Sequence, residues 1–219
     1  IENCKLIITV DNGIVANKAV DFAKKQGIDV IITDHHVPSK KLPNAFAIVH
    51  TTKLCGTGVA YLLAQNIRRV IPNSFRDLGS SRTKMLKPAS QRGEQVQHDN
   101  EKENHLELVA LATVADLVPL KGANRTLLKF GLEALRRTKR IGLLELLKEA
   151  GIAKESLGVY EIGHMIAPRL NAMGRLEYAM DSLRLICTKN QKRAEELARL
   201  LGSTNKERQD LTLQTVLHA

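Results

Sequence analysis

Two short β-branched runs in this chain end in the same way. Lys5-Leu-Ile-Ile-Thr-Val10 stops at Asp11-Asn12-Gly13, and Asp29-Val-Ile-Ile-Thr33 stops at Asp34-His35-His36. Between them, residues 14–26 place Val15, Ala19, Phe22 and Ala23 on one helical face, and Gly27 follows as a stop signal. Strand, helix and strand within about thirty residues make a βαβ unit, which requires parallel strands and a right-handed crossover. The Asn12-Gly13 pair would suit a hairpin, but the helical pattern behind it argues against one. A third run, Ala45-Phe-Ala-Ile-Val49, reads as another strand. The fold expected is therefore α/β: a parallel-sheet core with helices on both faces, then a helical segment and a long connector helix.

After the third run, Cys55-Gly-Thr-Gly58 opens an apolar helix through Ile71. Glycines ahead of a helix can turn backbone N–H groups toward a phosphate, but close helix–strand packing explains this pair better. Residues 73–105 break the pattern, with six apolar residues in thirty-three. Too few to build a core, they read as a mobile insertion, basic first (Arg76, Arg82, Lys84, Lys87, Arg92) and acidic later (Glu94, Asp99, Glu101, Glu103). Helical patterns follow at 106–115, 125–138 and 143–150. A polar helix from Gln191 to the end carries Leu197, Leu200 and Leu201. The expected organisation is a core over 1–190 and a connector over 191–219 that leads to a further C-terminal domain.

The chain has 219 residues and a formal charge of +10. From Leu120 onward there are 18 Lys and Arg against 11 Asp and Glu. Such an excess suits a polyanionic partner or a solvated basic surface equally well. With no Trp, three Tyr and four Phe, a nucleic-acid partner would be gripped by its backbone rather than by base stacking. Cys4, Cys55 and Cys187 are odd in number, widely spaced and without a CxxC pair. They point to a reducing cytoplasm and to small buried hydrophobes rather than disulfides. No run approaches the ~20 apolar residues of a membrane span.

The chemistry gathers at the strand ends. Asp11 and His35 would face the crevice beyond the carboxyl ends of parallel strands, the usual ligand position in an open α/β sheet. Asp116, in Ala112-Thr-Val-Ala-Asp-Leu-Val-Pro119, is a carboxylate in an apolar stretch, where a charge needs a partner or a cation. A metal set of Asp11, His35 and Asp116 suits manganese, and magnesium less well; without thiolates it is not structural zinc. Asp34 either orients the site as a hydrogen-bond acceptor or caps a turn. His36 either donates to a substrate phosphate or is an ordinary surface histidine. In Ala167-Pro-Arg-Leu-Asn-Ala-Met-Gly-Arg175, Arg169, Asn171 and Arg175 form a candidate phosphate clamp, since guanidinium groups bind phosphate bidentately.

These motifs together resemble the DHH phosphoesterase superfamily, and in that order and spacing its single-stranded-DNA exonuclease branch. They are Thr9-Val-Asp-Asn-Gly13, Asp34-His-His36, Cys55-Gly-Thr-Gly-Val-Ala60, Ala115-Asp-Leu-Val-Pro119 and the 167–175 segment. The resemblance implies a two-manganese phosphodiesterase that removes nucleotides from a 5′ end in DNA repair and recombination. Asp11 would bridge both metals, and His35 and Asp116 would ligate one. His36 would face the scissile phosphate, and Arg169 and Arg175 would lie near the DNA backbone. The superfamily's first motif, an Asp-x-Asp pair, does not occur in the chain. The chain is accordingly expected to be a truncated piece with little activity alone. The rival readings are an oligoribonuclease or cyclic-dinucleotide phosphodiesterase of the same superfamily, and a non-catalytic nucleic-acid-binding module.

Overall fold

The computed structural model describes residues 4–77, 105–176 and 179–218, with the side chains of 68–77 and 173–176 outside that description. The chain divides into two compact units, residues 1–105 and 106–219. The first holds a three-stranded parallel sheet, β1 (Leu6–Val10), β2 (Asp29–Asp34) and β3 (Ala47–His50), in the order β1-β2-β3. Leu6 pairs with Asp29 and Val10 with Thr33, while Ile31 pairs with Ala47 and Asp34 with His50. That register brings Asp34 and the residues after Val10 to the same end of the sheet.

Helix α1 (Asn17–Lys25) crosses between β1 and β2 and packs Val20 and Ala23 on Val30 and Ile32. The phase differs from the face expected: Val15 and Phe22 are exposed, at 60% and 66%, and Val20 is buried instead. The stop at Gly27 holds. Gly27 takes φ +71, its N–H reaches the Lys24 carbonyl, and the Ile28 N–H reaches that of Ala23, both at 3.0 Å. This is a Schellman closure, with Ile28 folded back onto the α1 core. On β1, Ile7 joins that core, while Leu6, Ile8 and Val10 on the opposite face stay about half exposed.

Helix α2 (Gly56–Asp77) contacts all three strands. It runs beyond Ile71, so residues 73–77, expected in the insertion, are helical. The rest of the expected insertion, 78–104, lies outside the described residues.

The second unit is helical: α3 (Leu106–Ala115), α4 (Ala123–Arg136), α5 (Ile141–Glu149), α6 (Ala167–Leu176), α7 (Ala179–Cys187) and α8 (Gln191–His218). A 3-10 turn (Lys154–Ser156) and a π-helical turn (Glu161–Ile166) precede α6. Helix α3 is apolar on nearly every side, as its composition demands, and buries Val109, Ala110, Leu111 and Val114. Helix α8 departs from the expected connector. Its first half buries Ala194, Leu197, Ala198 and Leu201, at helical spacing, in the core of this unit. Its second half, from Leu211 to Leu217, is exposed. Of the cysteines, Cys55 is buried, but Cys187 is exposed rather than in a core. No helix among the described residues is long and apolar enough to cross a membrane.

Candidate metal centre

The site of the first unit forms where β1 and β2 end. Beyond Val10 the ladder continues by one bond, from the Asp11 N–H to the Thr33 carbonyl at 2.9 Å. Asp11 itself turns into the left-handed region, φ 62, which Asp tolerates better than most side chains. The turn is held locally: Thr9 Oγ1 donates to the Asn12 carbonyl at 2.8 Å, and Asn12 Nδ2 donates to that of Val10 at 3.0 Å. So placed, Asp11 Oδ1 lies 3.0 Å from His35 Nε2. Gly56, the first residue of α2, sits directly against the Asp11 side chain, and a Cβ there would collide with the carboxylate. The packing explanation for the Cys55–Gly58 glycines therefore holds at Gly56, and what it packs against is the site.

Asp34 lies beneath the two histidines and is 1% exposed. Its Oδ2 accepts the Ile14 N–H at 2.9 Å, and its Oδ1 accepts the N–H of His35 at 2.7 Å and of His36 at 3.2 Å. The same oxygen meets His36 Nδ1 at 2.7 Å. Burial alone pushes this carboxyl up; the hydrogen bonds from Ile14, from the His36 ring and N–H and from His35 outweigh it and bring its pKa down to about 2. Asp34 is thus an ionised group in the fold, fixing both histidines and the start of the turn into α1. Nothing in the local sequence signals Ile14 as its partner. His50, opposite Asp34 on β3, adds a contact from Nε2 to the His36 carbonyl at 2.7 Å.

Asp11, His35 and His36 each offer one ligand atom, all within 4.8 Å of one another. The donors are a carboxylate and two imidazoles, with no thiolate, a set that fits manganese or magnesium chemistry better than structural zinc. His36 thereby comes within ligand reach, although its sequence reading set it apart from the metal.

The other expected residues belong to the second unit. Asp116 is exposed and follows α3, with its N–H on the Ala112 carbonyl at 2.9 Å. Leu117, after it, takes φ 54, a conformation that costs a non-glycine residue about 1 kcal/mol or more and turns the chain sharply there. Asn171 is exposed on α6. Arg169 is not an open clamp: its Nε donates to Glu149 Oε2 at 2.7 Å and its Nη1 to the Met165 carbonyl at 2.9 Å. The Arg175 side chain lies outside the described residues.

Residues 1–113 match the DHH family, N-terminal domain. The chain belongs to the DHH family. Among curated members, it is 39% identical over 215 residues to the single-stranded-DNA-specific exonuclease RecJ of Bacillus subtilis, covering 94% of this chain and 24% of that protein. It is 35% identical over 225 residues to RecJ of Haemophilus influenzae, covering 98% of this chain and 36% of that one. Among solved structures, RecJ of Thermus thermophilus in complex with Mn2+ superposes with a TM-score of 0.76 at 31% identity, over 98% of this chain and 30% of that one. An exonuclease RecJ bound to manganese gives 0.75 at 31% identity, covering 98% of this chain and 50% of that one. This DHH chain spans about a quarter to a third of the length of these curated relatives.

Proposed function

We propose that this chain is the catalytic core of a metal-dependent phosphodiesterase of RecJ type, which removes nucleotides from the 5′ end of single-stranded DNA in repair and recombination in the cytoplasm. The observation that carries the reading is the Asp11–His35–His36 cluster seated on the ionised Asp34. The manganese- and magnesium-bound relatives support the choice of ion. Asp11 and His35 would hold the metal, joined by Asp116 on the grounds of its motif. Two such ions, when bound, polarise the scissile phosphate and supply hydroxide near neutral pH.

The protein's own groups do the rest. Asp34 engages Nδ1 of His36, so Nε2 is the ring atom that would meet a substrate phosphate. Asp34 fixes the tautomer and angle of that ring, as a carboxylate does behind a working histidine. Asn171 and Arg175 are the candidates for gripping the backbone of the strand. Arg169 would join them with fewer donors, since Nε and one Nη1 N–H are committed to Glu149 and Met165.

Calorimetric titration with MnCl2 tests the metal set, and hydrolysis of 5′-labelled single-stranded DNA by the full-length protein tests the reaction. D11N and H35A should each lose Mn2+ binding and turnover, D116N should weaken both, and H36A should lose turnover while keeping most of the metal. Unchanged Mn2+ affinity in D11N and H35A would sink the assignment. Faster cleavage of di- or trinucleotide RNA than of long DNA would move it to the oligoribonuclease branch.

A further inference from the structure

We infer that Tyr160 and His164 form a base-stacking platform for single-stranded DNA, on the same helical rod as Asn171; this rests on the single-stranded-DNA reading above. The two rings are already stacked, with centroids 4.5 Å apart and planes inclined by 19°. Both residues are exposed, Tyr160 at 64%. In a chain with only seven Phe and Tyr and no Trp, two exposed aromatic rings held face to face call for an explanation.

The backbone beneath is the π-helical turn Glu161–Ile166, a wide turn frequently found at functional sites. His164 Nδ1 sits 3.3 Å from the Tyr160 carbonyl and helps hold the imidazole in the stacked pose. A ring fixed in this way loses little freedom when a base lands on it, so stacking energy is kept as affinity. Asn171 lies seven residues beyond His164, on the α-helical stretch that continues from the π-helical turn. Seven residues advance about 10 Å along a helix. A strand with one base on the Tyr160–His164 pair can thus reach Asn171 with its backbone. Every base has a π-face, so the platform would hold DNA without reading its sequence.

The test uses the full-length protein and single-stranded oligodeoxynucleotides that carry 2-aminopurine, whose fluorescence stacking quenches. Y160A with H164A should raise Kd about tenfold. Quenching should be lost, while the melting temperature and the slope of affinity against salt stay as in the wild type. Y160F should keep both affinity and quenching, because the ring and not the hydroxyl does the stacking. If wild-type protein binds no single-stranded DNA, the platform and the exonuclease reading fall together. If it binds, and the double alanine variant binds and quenches equally, the platform alone is overturned. A changed salt slope with quenching intact would overturn it too, by showing a phosphate contact.

Discussion

The Asp34 carboxylate accepts the backbone N–H of Ile14 at 2.9 Å across twenty residues of chain, and so ties the end of β2 to the turn that follows β1. Asn at position 34 keeps the shape but presents an amide donor where the surrounding groups already donate. D34N should therefore cost about 2 kcal/mol at pH 7, read from urea unfolding. The linkage has a definite sign. The folded pKa, about 2, lies below the reference value of 3.8, so Asp34 contributes its stability above pH 3.8 and loses it as pH falls toward 2. The gap between wild type and D34N should close across that window. A gap unchanged at pH 2 would mean that charge is not the source.

Gly56 faces the Asp11 carboxylate with no room for a Cβ. An alanine in a helix interior would ordinarily add up to ~1 kcal/mol of stability over glycine. G56A should instead displace Asp11 from His35 and weaken Mn2+ binding at least ~10-fold, the scale expected for disturbing a ligand's support. Asp11 is more than half exposed, so it can move aside and the melting temperature should change little. Calorimetry and thermal melts on the same samples check both halves.

Arg169 and Glu149 are paired at 2.7 Å and partly buried, at 18% and 23% side-chain exposure. R169A leaves a half-buried carboxylate without its partner and should destabilise the second unit by about 1–3 kcal/mol. With two of its N–H groups held by Glu149 and Met165, R169A should move the salt slope of DNA binding less than R175A does. R175A should lower that slope by roughly one ion-equivalent, the mark of a lost phosphate contact.

The two halves of α8 should respond differently to truncation of a leucine. L201A removes a fully buried side chain and should cost about 2–5 kcal/mol. L213A, on the exposed half, should stay within about 0.5 kcal/mol. Chemical denaturation of both variants compares them directly, and a large loss for L213A would show that the second half is packed.

Much of the first unit was legible because its signals are local. The β-branched runs, the stop at Gly27 and the acidic strand ends placed β1, β2, Asp11, His35 and His36 where they stand. Helix 106–115 was legible for the same reason, being apolar and sharply bounded. What failed depends on partners far away in sequence. The buried face of α1 is set by Val30 and Ile32, and that contact chose Val20 over Phe22. Arg169 read as a free clamp because Glu149, twenty residues upstream, reaches it only through the packing of the second unit. The extension of α2 as far as Asp77 was missed because polar residues can extend a helix that apolar ones have nucleated. A count of aromatic residues gave no hint of Tyr160 and His164, since composition is blind to where rings meet.

The open face of β1 has a practical consequence. Among the described residues β1 is an edge strand, and its Leu6, Ile8 and Val10 present about half their surface to water. An uncovered apolar edge is a template on which another copy can add its own strand. This chain in isolation should therefore gain mass with concentration in light scattering. Replacing Ile8 with lysine, which interrupts the greasy row at its centre without touching Ile7 or Thr9, should keep it dispersed.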